Sequence, residues 1–166
     1  MPDPELSDSA VQRRAEADII AALAAEESLS FIERPGRVAL TGDVWIEVDA
    51  RTADGSVFVE AYARQGSLKG AQLKKIGQDV LKLALLKREA EYANARAIIA
   101  FASDEARDSV RGWLRRAAES FDVELKVVSI SSDLRAEILS AQGRQLMVNI
   151  DATVADVAED VEPGIT

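Results

Sequence analysis

Apolar and polar residues alternate with a period of two over Val44–Arg51 and again over Val57–Arg64, and Asp54-Gly55 lies between the two runs. That spacing predicts a β-hairpin. Asp-Gly suits a type I′ turn, whose two central residues both need positive φ. A two-residue loop at 54–55 sets Arg51 opposite Phe58, Asp49 opposite Glu60, Glu47 opposite Tyr62 and Trp45 opposite Arg64. Val44, Ile46, Val48 and Ala50 then share an apolar face with Val57, Val59, Ala61 and Ala63. The other face carries Trp45, Glu47, Asp49 and Arg51 with Phe58, Glu60, Tyr62 and Arg64. A three-residue loop would mix the two faces, so the pattern selects this register.

Other stretches read as helices and strands around that hairpin. Residues 1–7 hold two prolines and are expected to be disordered. A helix is expected from Ser7, Asp8 or Ser9 to about Ser28, with Val11, Ala15, Ile19, Ala22 and Leu23 on one face. A loop with a Pro-Gly break leads into a short strand at Val38–Leu40. After the glycine-punctuated RQGSLKG, a helix runs to about Glu91. Leu73, Ile76, Val80, Leu83 and Ala84 form its apolar arc, broadened by Leu81 and Leu85, with Lys75, Gln78 and Lys82 on the opposite side. Ala95–Ala102 is an unbroken apolar run, as in a strand covered on both faces. Ser103 caps a helix whose buried stripe is Ala106, Val110, Trp113, Leu114 and Ala117. Val123–Ile130 is a strand, and a last helix is expected to end at Gly143. Gln145–Ile150 is a possible short strand. Residues 151–166 carry five acids and no base, and read as a disordered or partner-seeking tail. The expected fold is α/β, a single domain over residues 8–150 with a mixed β-sheet flanked by helices in the order αβββαβαβ.

Composition narrows the chemistry. With no cysteine and no histidine in 166 residues, disulfides, thiolate or imidazole metal ligation and Ser-His-Asp catalysis are excluded. A metal here would be a hard cation on carboxylates: Mg²⁺, Mn²⁺ or Ca²⁺. Two carboxylates set opposite each other, Asp49 and Glu60 with Glu47 on the diagonal, repel unless something offsets them. A cation, a shared proton or the arginines at 51 and 64 would do so. No apolar run reaches the length of a membrane span, and the acidic start MPDPELSDSA lacks an apolar signal region. A cytoplasmic location is therefore expected. The net charge of −9 is uneven: residues 60–88 hold seven bases against two acids. That leaves room for a local anion-binding face beside an acidic tail.

The order of elements over about Ala10–Ile130 resembles the core of the PD-(D/E)XK phosphodiesterase superfamily, the restriction-endonuclease-like fold. Glu60-Ala61-Tyr62 stands at the Glu-x-Lys position and Asp49 at the Asp, with Asp43 its rival. The stretch Val59–Lys75 also resembles uncharacterised actinobacterial proteins. The superfamily resemblance implies a nuclease that binds Mg²⁺ or Mn²⁺ through Asp49 and Glu60, with Glu47 and a helix acid, Glu26 or Glu27, as further ligands. The motif lysine is replaced by Tyr62. Arg64 offers fixed positive charge, and among Lys69, Lys75 and Lys82 the loop residue Lys69 is the expected substitute. Arg64, Lys69 and Lys75 are the expected phosphate contacts, with nucleic acid as partner. The alternative reading is a non-catalytic protein-binding or dimerisation module, in which Trp45, Phe58 and Tyr62 form an exposed aromatic interface.

Overall fold

The computed structural model describes residues 4–32 and 36–159, with side chains over 10–32 and 36–148. The elements are α1 (Pro4–Glu27), β1 (Gly36–Leu40), β2 (Val44–Val48), β3 (Ala50–Arg51), β4 (Val57–Tyr62), α2 (Ala71–Leu86) and a 3₁₀ turn (Ala90–Tyr92). They continue with β5 (Arg96–Phe101), α3 (Asp104–Asp108), α4 (Gly112–Ser120), β6 (Val123–Val127) and α5 (Ser132–Glu159).

The expected mixed sheet between helices is present, with strand order β3-β4-β5-β6. Strand β3 is antiparallel to β4, while β4, β5 and β6 are parallel. The strands β4 and β5 are buried on both sides; β5 reads as an apolar run for that reason, whereas β4, expected to alternate, carries Glu60 into a buried face. One face packs Phe58, Ile99 and Phe101 under α2, α3 and α4. The other packs Val59, Ile98 and Ala100 under α1 and α5, through Ala15, Ile19 and Leu23 of α1 and Leu134 and Ile138 of α5. Helix α1 ends at Ser28 (φ 55), with the Leu29 N–H reaching back to the Ala24 carbonyl at 2.9 Å.

The hairpin register is as expected: Ala50 pairs with Val59 and Arg51 with Phe58. The loop is four residues rather than two. Thr52 N–H donates to Val57 O at 3.0 Å, and Gly55 alone takes positive φ (69°). The Thr52 hydroxyl accepts from the N–H groups of Ser56 and Val57, and Asp54 Oδ1 accepts from Ser56. These local bonds favour the wider loop.

The strand expected over 44–51 is broken. It bends at Asp49, and β2 turns away to pair with β1 in a separate two-stranded sheet. The bend resets the alternation. Val48 joins the core under α2, whereas Ala50 joins the core under α1. The predicted aromatic face is not exposed either: Phe58 and Tyr62 are buried, and only Trp45 is open, with Arg37 over its ring at 4.8 Å.

Other expectations need correction. The helix after Ser103 is two helices, α3 and α4, and the break at Gly112 (φ 59) turns Trp113 outward to 79% exposure. Leu114 and Ala118 take the core positions instead. Leu81 and Leu85 are exposed rather than part of a wider buried arc. Neither a stop at Gly143 nor a strand at 145–150 occurs, because α5 runs on to Glu159. Of the termini, residues 4–7 belong to α1 and 151–159 to α5, while residues 1–3 and 160–166 lie outside the described residues. Gly143 is a mid-helix position with open space at its Cβ. Gly143→Ala is therefore expected to raise stability by about 0.5–1 kcal/mol. An unchanged or lower urea midpoint would speak against a helix through this point.

Among the described residues, no helix is long and apolar enough to cross a membrane.

Candidate functional site

The bend at Asp49 builds the candidate site. Having left the ladder, the Asp49 carboxylate turns back to the edge of β4, where Oδ2 accepts the Ala61 N–H at 2.8 Å. Asp49 thus sits beside Glu60 as the register required, but held by the backbone rather than by a strand of its own. Glu60 points to the α2 side of the sheet and is 5% exposed. The ammonium of Lys82, on α2, lies against Glu60 Oε1. It also donates to the Glu47 carbonyl at 3.0 Å and pairs with Asp79 Oδ1 at 3.5 Å.

Lysines 75 and 82 with Asp79 fall at i, i+7 and i+4, one stripe of α2. That stripe runs along the outer side of β4: Lys75 Nζ lies 5.2 Å from the centre of the Tyr62 ring, and Lys82 meets Glu60. The expectation that Lys82 faces away is thus corrected. Lys69 is exposed in the loop before α2, thirteen residues and about 20 Å of chain from Lys82 at helical rise. The lysine against Glu60 is Lys82, not Lys69.

The electrostatics follow from burial. Desolvation, and then the charge of Asp49, push the Glu60 carboxyl up to about 8 against the pull of Lys82. Desolvation also raises Asp79. Burial opposes the charge on Lys82, but the Glu60 contact and the Glu60 and Asp79 charges outweigh it and hold its pKa above the ordinary value. Glu60 Oε1 is buried, and the ammonium of Lys82 lying against it is what compensates it.

The remaining candidates scatter. Tyr62 shares the face of Glu60, packs against Phe101 at 6.1 Å and has its pKa raised by burial. Arg64 lies at the end of β4 on a cavity of about 200 Å³ lined also by Tyr62, Gln12, Gln72 and Gln142. Glu47 is exposed, opposite Arg37, and serves Lys82 only through its carbonyl. Asp43 is in the β1–β2 turn with φ 57. Glu27 is not with Asp49 and Glu60. It is on the α1 side of the sheet, bound by Arg96 at 2.6 Å and by Lys126. Those bonds, Arg96 first, hold its carboxyl down to about 2. Glu26 accepts from Ser129 N–H at 3.3 Å. The acid of α1 whose charge reaches Tyr62 is Glu16.

Asp49 and Glu60 are two hard carboxylates side by side, the donor type that suits a cation such as Mg²⁺ that keeps several waters, although Lys82 now lies on Glu60 Oε1. Among the described residues, no group of three or more acidic side chains converges to enclose an ion. Any ion would therefore rest on Asp49 and Glu60, with water or backbone oxygen completing the shell.

Asp79 was missed as a partner of Lys82, and Lys82, named as a candidate, was passed over for Lys69. The signal was present in the Lys75-Asp79-Lys82 spacing, whose polar stripe borders the apolar arc. No protein-family model matches the chain, and neither a curated protein nor a solved structure matches it.

Proposed function

We propose that this chain is a restriction-endonuclease-like domain acting as a divergent metal-dependent phosphodiesterase on nucleic acid. The observation that carries this reading is the position of Lys82: α2 brings its ammonium onto Glu60 beside Asp49. The positive charge missing at position 62 is thus supplied from the neighbouring helix. The sheet supports the same reading, since the strand bearing Glu60 is antiparallel to the one after Asp49 and parallel to the strand after α2.

Asp49 and Glu60 would hold Mg²⁺ or Mn²⁺, which when bound supplies Lewis-acid charge at a phosphate and acidifies a water. The protein residues do the rest. Asp49 is pre-set by its bond to the Ala61 N–H. Glu60 must release its proton to act as a ligand, so ion binding strengthens as the pH rises towards about 8. With Glu60 engaged by an ion, Lys82 would be the cation left to face a phosphate. Lys75 over Tyr62 and Arg64 at the strand end extend positive charge along this side, as a phosphate backbone requires. Tyr62 serves as the platform beneath Lys75.

Plasmid nicking with Mn²⁺, read beside thermal unfolding with and without the ion, tests the reading. Wild type is expected to nick and to be stabilised by Mn²⁺. Lys82→Met and Asp49→Asn are expected to lose about 10²-fold or more in rate, and Asp49→Asn to lose the thermal response. Lys69→Met is expected to keep both. A wild type that neither nicks nor responds to Mn²⁺ would leave the alternative, a non-catalytic binding module on this fold.

A further inference from the structure

We propose that the groove between α2 and α4 receives the C-terminal half of α5 from a second copy of this chain, so that two copies exchange tails. This inference stands apart from the Asp49–Glu60 site and holds whether or not that site is catalytic.

The groove holds about 650 Å³ between α2 and α4. Its floor is Val80 and Leu114, and its walls are Leu81, Trp113 and Phe121, exposed by 67%, 79% and 49%. Large apolar side chains gathered in one groove mark a contact surface, whereas single exposed ones do not. Lys74 and Arg111 line the same groove, and Arg115 and Arg116 are exposed on α4. An occupant that suits it is apolar on one side and acidic on the other.

The end of this chain has that character. The first half of α5 is seated on the opposite face of the sheet by Leu134, Ile138 and Ala141. From Gly143 to Val148 every residue is exposed, including Leu146, Met147 and Val148. The helix continues to Glu159 nonetheless. Its sequence places Met147, Ile150, Val154 and Val157 at alternating three- and four-residue spacing, the repeat of a helix that packs on a partner along one stripe. Residues 151–166 hold five acids and no base. A continuous helix seated on one face of the sheet cannot bend round to a groove on the other face of its own domain, so the groove it meets belongs to another copy. Reciprocal exchange closes a two-fold pair and leaves neither groove open. Two exchanged helices also double the buried area, towards the roughly 1,600 Å² of a standard interface.

Sedimentation equilibrium on full-length chains tests this. Two groove variants are used, Trp113→Glu with Leu81→Glu, and Lys74→Glu with Arg111→Glu. The tail variant is Ile150→Ser with Val154→Ser and Val157→Ser. Circular dichroism checks that each is folded, and the rim pair replaces the first groove variant should that one unfold. Wild type is expected to be a dimer, and each variant alone to dissociate at least about tenfold more readily, since losing one anchor of about 1.4 kcal/mol is a factor of ten. A groove variant mixed with the tail variant is expected to form a mixed dimer weaker than wild type, because one intact groove then meets one intact tail. A monomeric wild type would overturn the proposal, as would a dimer that survives both kinds of variant. So would a mixture that fails to associate, which would assign the groove to a different occupant.

Discussion

Above about pH 8, Glu60→Gln is expected to be more stable than wild type by on the order of 5 kcal/mol in the absence of divalent ions. Glu60 has an ordinary carboxyl pKa of 4.5 when unfolded and about 8 in the fold, with burial the main cause and Asp49 the second. Between those two values the folded chain keeps a proton that the unfolded chain releases. The unfolded state then binds fewer protons, so stability falls as pH rises. Below pH 4.5 both states hold the proton, and above about 8 both have lost it; the loss is confined to the window between. Every tenfold difference in proton affinity between the two states corresponds to about 1.4 kcal/mol. Asp79, also raised by burial, acts with the same sign. Lys82, raised above 10.5, contributes stability that is fully present below that value and is lost only at higher pH. An amide at position 60 has no proton to release, and Lys82 retains Asp79 and the Glu47 carbonyl. Urea unfolding of both proteins across about pH 5 to 8.5 reads the effect. A wild-type curve that is flat or rises over that window would show that Glu60 is ionised in the fold, and the electrostatic account of the site would fail.

Two residues earlier on the same strand, Phe58→Ala is expected to lose about 3–5 kcal/mol at any pH in that window. Phe58 has no exposed surface and meets Tyr92 edge to face, with ring centres 5.0 Å apart and planes at 73°. Tyr92 is also bounded by the loop of the hairpin: a Cβ at Gly55 would come within 2.9 Å of its ring. Removing the Phe58 ring therefore leaves a cavity under the loop that sets the register of β3 and β4. The cost is read as a fall in the urea midpoint at constant m. A loss below about 1 kcal/mol would mean that these rings do not pack as described. Phe58 and Glu60 point into the same helical layer, so their opposite signs measure what that layer gains from an apolar ring and what it loses from a charge.

Both residues were placed on one face by the alternation of their strand, and the register of Ala50 and Arg51 against Val59 and Phe58 was likewise legible. What could not be read was the phase on either side of a break. The bend at Asp49 sends Val48 and Ala50 to different cores, and the break at Gly112 turns Trp113 out of the position its spacing implied. Periodicity holds only while the backbone is regular, and a kink of one residue reverses every assignment beyond it.

The sequence by itself determined the apolar strands, the helices between them, the mixed sheet that follows and the absence of imidazole and thiol chemistry. Those are local properties: side-chain period, turn residues and composition. Tertiary structure alone decided that Lys82 rather than Lys69 meets Glu60, that Glu27 is bound to Arg96 across the sheet, and that α5 passes through Gly143. Each of those depends on how helices are set against strands far away in the chain, and a carboxylate buried among apolar side chains takes whichever cation the packing brings within reach.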